Sequence, residues 1–214
     1  MSRRASFAIV FLVLVPQTVH AFDHHEHHHH GSDGGGGCSG DSASASASAP
    51  APSASPSTPS HKRVFVTSTT YSGALGGAIA ADADCAQQAL QLGTPGVFRA
   101  WLSDGMTGAY DRIADAAPWY STSDAIAFST KTDLRGAPSS ELLDEYGGHA
   151  ESAGPWSGND VNGAATGHDC DGWKSAATDA IGTAGTAIAL DATWGGGPAL
   201  RSCALEAPIV CFEQ

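Results

Sequence analysis

From Arg63 onward the apolar residues follow two different periods, and the changes between them divide the chain into elements. Arg63-Val64-Phe65-Val66-Thr67 is short, β-branched and aromatic, which predicts a strand. Tyr71-Ser72-Gly73 and Gly76-Gly77 then turn the chain. From Ala78 to Leu92 the step changes. Ile79, Ala83, Ala86 and Leu90 recur at three- and four-residue intervals, so an amphipathic helix is expected with that stripe facing inward. Cys85 falls near the edge of the stripe, and Gly93 is placed to cap the helix C-terminus. Phe98 to Leu102 alternates large apolar with smaller or polar residues, the signature of a half-buried strand. Thr107 to Ala114 reads as a second short helix with Tyr110 and Ile113 inward. Trp119-Tyr120 and Ile126-Ala127-Phe128 predict brief strands, and Glu141-Leu142-Leu143 a helical turn. Thr186 to Leu190 and Pro208 to Phe212 read as two further strands, divided by the loop at Gly195-Gly196-Gly197. Helices and strands mixed in this way within residues 62–214 predict one α+β domain, long enough to bury roughly 70% of its unfolded surface.

One stretch fits neither period. Trp156 to Trp173 reads W-S-G-N-D-V-N-G-A-A-T-G-H-D-C-D-G-W. Gly, Asn and Asp supply positive-φ and side-chain-capped turns, while a tryptophan at each end buries a large area. The expectation is a loop pinned into the core at both ends, and pinned loops often carry function.

Before Lys62 the composition is different again. Arg3 and Arg4 precede an apolar run from Phe7 to Val15, and Val19-His20-Ala21 suits a signal peptidase, so residues 1–21 are expected to be a signal peptide cleaved after Ala21. The run is shorter than the roughly 20 apolar residues of a membrane span, and no transmembrane segment is expected after cleavage. His24, His25, His27, His28, His29 and His30 follow, a tract whose imidazoles bind Zn2+ or other transition metals weakly. Cys38 opens a Ser/Ala tract that becomes Pro-rich up to Ser60. Such a sequence cannot bury enough apolar surface to fold, so residues 22–61 are expected to form a tether. Lipidation of Cys38 would make the protein a surface lipoprotein, but the His tract separates this cysteine from the apolar run. An unpaired or intermolecular thiol is the expected state.

Charge narrows the choice of partner. The chain has 22 acidic and 10 basic residues, and 18 and 8 of these lie in residues 62–214, a formal charge of −10. Nucleic acid and anionic membrane surfaces need clustered Lys and Arg, so neither is an expected partner. Export also gives the cysteines meaning, because thiols pair in an oxidising compartment. Cys85, Cys170, Cys203 and Cys211 lie in the folded part, and four cysteines allow three connectivities.

Leu75-Gly76-Gly77 through Asp84-Cys85-Ala86-Gln87-Gln88-Ala89, then Gly96 to Ser103, resemble the G-x-x-G-A-D-x-x-C-x-Q-Q-A and G-x-F-x-A-F-L-S runs of the endostatin domain. Trp156 to Gly163, Cys170 with Trp173, Ser202-Cys203 and Ile209 to Glu213 are similar to later segments of that domain in the same order. The chain also resembles a bacterial family of secreted lectin-like domains. The resemblance implies a C-type-lectin-like fold with two helices, a short and mostly antiparallel sheet with its terminal strands paired, long loops and nested disulfides. It implies pairing of Cys85 with Cys211 and of Cys170 with Cys203. It does not bring endostatin's ligands with it. Only His61 stands near the place of the zinc histidines, and Arg112 is almost alone on the helix that would carry heparin-binding arginines. An acidic domain repels heparin-like polyanions.

The chemistry on offer is sparse. The sugar-binding triplets Glu-Pro-Asn or Gln-Pro-Asp and Trp-Asn-Asp of C-type lectins do not occur. Asn159, Asp160, Asn162, Asp169 and Asp171 remain as oxygen donors of the kind Ca2+ prefers. The competing expectation is that they form Asx-turns. Trp101, Trp156 and Trp173 are expected in the core, and Trp194, beside three glycines, on the surface as a ligand contact. No Gly-x-Ser-x-Gly elbow occurs, and the only histidines beyond Lys62 are His149 and His168. A non-enzymatic binding or adhesion module is therefore expected, secreted or on the cell surface, with a glycan or extracellular protein as ligand. The alternatives are a structural domain presenting the His-rich tail and a lipid-anchored protein of the same fold.

Overall fold

The computed structural model describes residues 61–150, 154–186 and 189–214. The expectations for the signal peptide, the His tract, Cys38 and the tether up to Ser60 lie outside these residues. Among the described residues seven strands and two right-handed α-helices form a mixed α+β structure. They run β1 (Lys62–Val66), α1 (Ala78–Ala89), β2 (Phe98–Ala100), α2 (Ala109–Arg112), β3 (Trp119–Tyr120), β4 (Ile126–Phe128), β5 (Ile181–Thr183), β6 (Leu200–Ser202) and β7 (Val210–Glu213).

Five strands make one sheet in the order β2-β7-β1-β3-β4, and β5 with β6 makes a separate pair. All neighbours are antiparallel except β1 and β3. The first and last strands lie side by side, with Val64 opposite Phe212 and Val66 opposite Val210. Chain entry and exit therefore share one end of the sheet, where Lys62 Nζ reaches Glu213 Oε1 at 3.3 Å.

The period of two in these strands sends alternate residues into two cores. Phe65, Phe98, Ala100 and Cys211 meet Trp156, Trp173 and the inner face of α1, whereas Val64, Val66 and Phe212 meet Trp101, Trp119, Phe128 and Trp194 on the other side. Disulfides join Cys85 to Cys211 and Cys170 to Cys203, closing 126 and 33 residues of chain. By loop entropy they contribute roughly 5 and 4 kcal/mol.

Helix α1 is rotated from its expected orientation. Ala78, Ala81, Cys85 and Ala89 face inward, while Ile79 is 71% and Leu90 53% exposed. The bond from Cys85 to β7 sets the rotation, and alanines let the helix approach the sheet closely where larger side chains could not. The helix ends at Ala89 and continues as a 3-10 turn, Leu90–Leu92, with Gly93 in the left-handed region at φ 64°.

Three other segments depart from expectation. Glu141 to Leu143 is not helical, and Leu143 instead forms an isolated bridge to His149. Beyond the point where β3 leaves β1, Val66 N–H is free to donate to Leu143 O, at 3.0 Å. No strand runs through the described part of Thr186 to Leu190, and the strand lies instead at β5. Gly182 at its centre has no room for a side chain, since a Cβ there would sit 2.7 Å from Cys170 Sγ. Trp194 is buried, 1% exposed, and its ring lies 4.9 Å from both Trp101 and Phe128. The adjacent Gly195 serves close packing rather than flexibility, because a Cβ there would meet Trp101 Nε1 at 2.7 Å.

Cys170 to Trp173 is a turn of left-handed helix, with φ between 52° and 69° at all four residues. Only Gly172 adopts that conformation without steric cost. Asp171 is exposed, and its side chain makes no hydrogen bond among the described residues. Asp171→Gly is expected to raise the melting temperature by roughly 2 °C, from a gain of about 0.5–1 kcal/mol. A thermal melt showing no gain, or a loss, would contradict this account of the turn.

Candidate functional site

The loop from Trp156 to Trp173 is fixed at both ends by its tryptophans. Trp156 Nε1 donates to Tyr71 O and Trp173 Nε1 to Ser103 O, each at 2.8 Å, and both rings are fully buried. In return Trp173 O accepts from Gly76 N and Gly77 N, at 2.8 and 3.0 Å, at the start of α1. Ser103 N donates to Ser157 O, and Trp156 forms bridges to Ala184 and Ile209. The loop thus springs from the end of the sheet away from the chain termini.

Its polar side chains are engaged in holding this shape. Asn159 is fully buried, with Oδ1 accepting from Ala109 N at 2.9 Å and Nδ2 donating to Ser157 O. Asp160 Oδ1 accepts from Asn162 N and Ala164 N, at 2.8 and 3.0 Å. Asp169 Oδ1 accepts from Gly172 N at 3.0 Å. These are Asx-turns and caps of the kind the sequence allowed. Asn162 and Asp171 are exposed. Asp160, Asp169 and Asp171 do not come together, and among the described residues no group of three or more His, Cys, Asp or Glu is placed to hold a metal ion. The six histidines of the tract lie outside those residues. Trp194, expected as a surface contact, belongs to the core.

The two histidines serve local roles. His149 Nδ1 lies 2.8 Å from Glu141 Oε1 on an exposed turn. His168 is held through its backbone, which accepts from Thr183 N at 2.8 Å. Cys170 beside it is consumed in a disulfide.

Two side-chain groupings have no counterpart in the sequence reading. Glu145 is 3% exposed and accepts from both the backbone N–H and the hydroxyl of Ser68. Nearby, burial pushes the Tyr71 hydroxyl above its ordinary pKa, the Gln88 side chain opposes this, and Asp84 and Glu145 add to it. Burial also raises Asp84. By contrast Asp191, fully exposed, is lowered by hydrogen bonds from the side chain and then the backbone of Thr193.

The second grouping adjoins the loop. Tyr110 N donates to Gly163 O at 3.2 Å, and a Cβ on Gly163, whose φ is 75°, would lie 2.9 Å from Tyr110 Cβ. Over the Tyr110 ring sit Arg135 Cζ at 3.6 Å and Lys131 Nζ at 4.8 Å. Lys131 and Arg135 are the first and last residues of the 3-10 segment Lys131–Arg135. Nothing in sequence spacing links that segment to Tyr110.

No protein-family model matches the chain, and no curated protein matches it significantly in sequence.

With its donors spent on turns, Asp160 acts as a structural residue. Asp160→Ala is expected to cost about 1 kcal/mol through two lost hydrogen bonds to exposed backbone. The same loss is expected in calcium and in chelator, measured by thermal denaturation. A loss seen only with calcium present would contradict the turn assignment.

Proposed function

We propose that this protein is a non-enzymatic binding or adhesion module with a C-type-lectin-like domain, secreted or displayed at the cell surface, whose ligand is a glycan or an extracellular protein. The observation that carries the reading is the state of the Trp156 to Trp173 loop. Two buried tryptophans, one disulfide and three side chains that cap backbone N–H groups hold it rigid, and residues such as Asn162 and Asp171 are left pointing to solvent. A surface ordered before its ligand arrives loses little conformational entropy on binding.

The arrangement of the scaffold supports the same reading. Paired terminal strands, a helix cysteine bonded to the last strand and a second disulfide within the loop region suit a lectin-like domain. Two disulfides fit an oxidising compartment, and among the described residues no helix is long and apolar enough to cross a membrane.

The test is an array of glycans and extracellular matrix proteins probed with the full chain and with a form lacking residues 22–37. Retention of at least one ligand class by both forms is the expected result. Binding lost with the His tract would point instead to a tail-centred protein, and a blank array for both would refute the proposal.

A further inference from the structure

Lys131 and Arg135 are two cations gathered over one ring with no acidic partner among the described residues, whereas Arg99 and Arg201, likewise without an ion pair, donate to the backbone carbonyls of Arg112 and Gly154. Among the described residues the ion pairs join Lys62 to Glu213, Arg63 to Asp124, Arg112 to Asp82 and His149 to Glu141. Among the described residues neither Lys131 nor Arg135 has a carboxylate within 4.0 Å, although residues 62–214 carry 18 acidic groups against 8 basic ones. Even Asp133, between them in sequence, is engaged elsewhere, accepting from Ser129 N and Thr130 N at 3.0 and 2.8 Å.

The geometry favours a planar anion. With Arg135 Cζ 3.6 Å above the Tyr110 ring, one face of the guanidinium lies on the ring and its N–H groups make no hydrogen bond among the described residues. A fork of parallel N–H groups matches the two oxygens of a carboxylate, while Lys131 adds a point charge over the same ring. Thr132 lies between the two cations in sequence and Asn162 precedes Gly163, which packs against Tyr110; both are exposed and carry groups suited to bind sugar hydroxyls. The charge of −10 over residues 62–214 disfavours any densely charged polymer and leaves room for carboxylates spaced by neutral sugars.

We propose that Arg135 and Lys131, mounted on Tyr110 beside the 156–173 loop, bind the carboxylate of a uronic-acid-bearing glycan whose charges are widely spaced. The proposal rests on the binding-module reading and names its ligand class.

The experiment titrates the full chain at pH 7.5, where ordinary histidines are mostly neutral, and at low salt. The probe is an unsulfated oligosaccharide with one glucuronate in every two sugars. Its carboxyl-reduced neutral form, a sulfated oligosaccharide of equal length and an oligoglutamate peptide are the comparisons. The probe is expected to bind, and the neutral form, or the Arg135→Ala protein, to bind roughly tenfold more weakly or worse, the range of a charge-assisted hydrogen bond. Arg135→Lys retains a cation over the ring and guards against misfolding. It is expected to fall between the two, since an ammonium cannot make the paired contact. No binding of the probe, equal binding of the neutral form, unchanged binding by Arg135→Ala, or tighter binding of the sulfated sugar or the peptide would each overturn the proposal. Those results would leave the binding-module reading standing as long as some other ligand is retained on the array.

Discussion

A single buried guanidinium ties the first half of the fold together. Arg112 is 7% exposed, and its Nη1 donates to Leu102 O and Ala100 O at 2.8 and 3.1 Å. Its Nη2 grips both carboxylate oxygens of Asp82, at 2.9 and 2.8 Å, and lies 3.4 Å from Ala78 O. Asp82 Oδ1 in turn accepts from Ala100 N at 2.8 Å. One ion pair thus fastens the first turn of α1, the outer edge of β2 and the end of α2. Out of water a charge is tolerated only when fully paired and hydrogen-bonded, so the geometry of all three elements is set by the need to satisfy this one.

The consequences run outward from that node. With α1 held on one face of the sheet, Cys85 meets Cys211, and the chain is closed across its two ends. With α2 held on the other, Ala109 N is presented to Asn159 and Tyr110 N to Gly163. The long loop therefore docks on a surface built by the N-terminal half, and the cationic pair over Tyr110 comes to lie next to it. The surface proposed for ligand and the core share their supports.

Much of the strand pattern was legible, because β-branched and aromatic runs such as Val64 to Val66 carry a local signal. The anchoring of the loop by Trp156 and Trp173 was legible for a similar reason, since large rings flanking turn residues have few places to go. The disulfide partners were not readable from the residues, which allowed three connectivities, and came only with the resemblance. What failed depended on distant contacts. The stripe of Ile79 and Leu90 has helical spacing, yet a covalent bond at Cys85 turned it to solvent. Gly195 beside Trp194 and Gly182 within β5 look like flexible links in sequence, whereas each exists because a side chain would collide with a residue far along the chain. Arg112, read only as almost alone on its helix, is buried because Asp82, thirty positions earlier, waits for it. Charge on a short amphipathic segment carries no mark of which face the fold will cover.

The most direct measurement of this account is a denaturant-unfolding cycle on the Arg112 to Asp82 pair. If the buried pair governs the packing of α1, α2 and β2, Asp82→Ala strands the guanidinium and costs about 3 kcal/mol or more. The double substitution with Arg112→Met then recovers a large part of that loss, because no unpaired charge remains. A cost below about 1 kcal/mol for Asp82→Ala, as for an exposed pair, or strictly additive losses in the double variant, would contradict it.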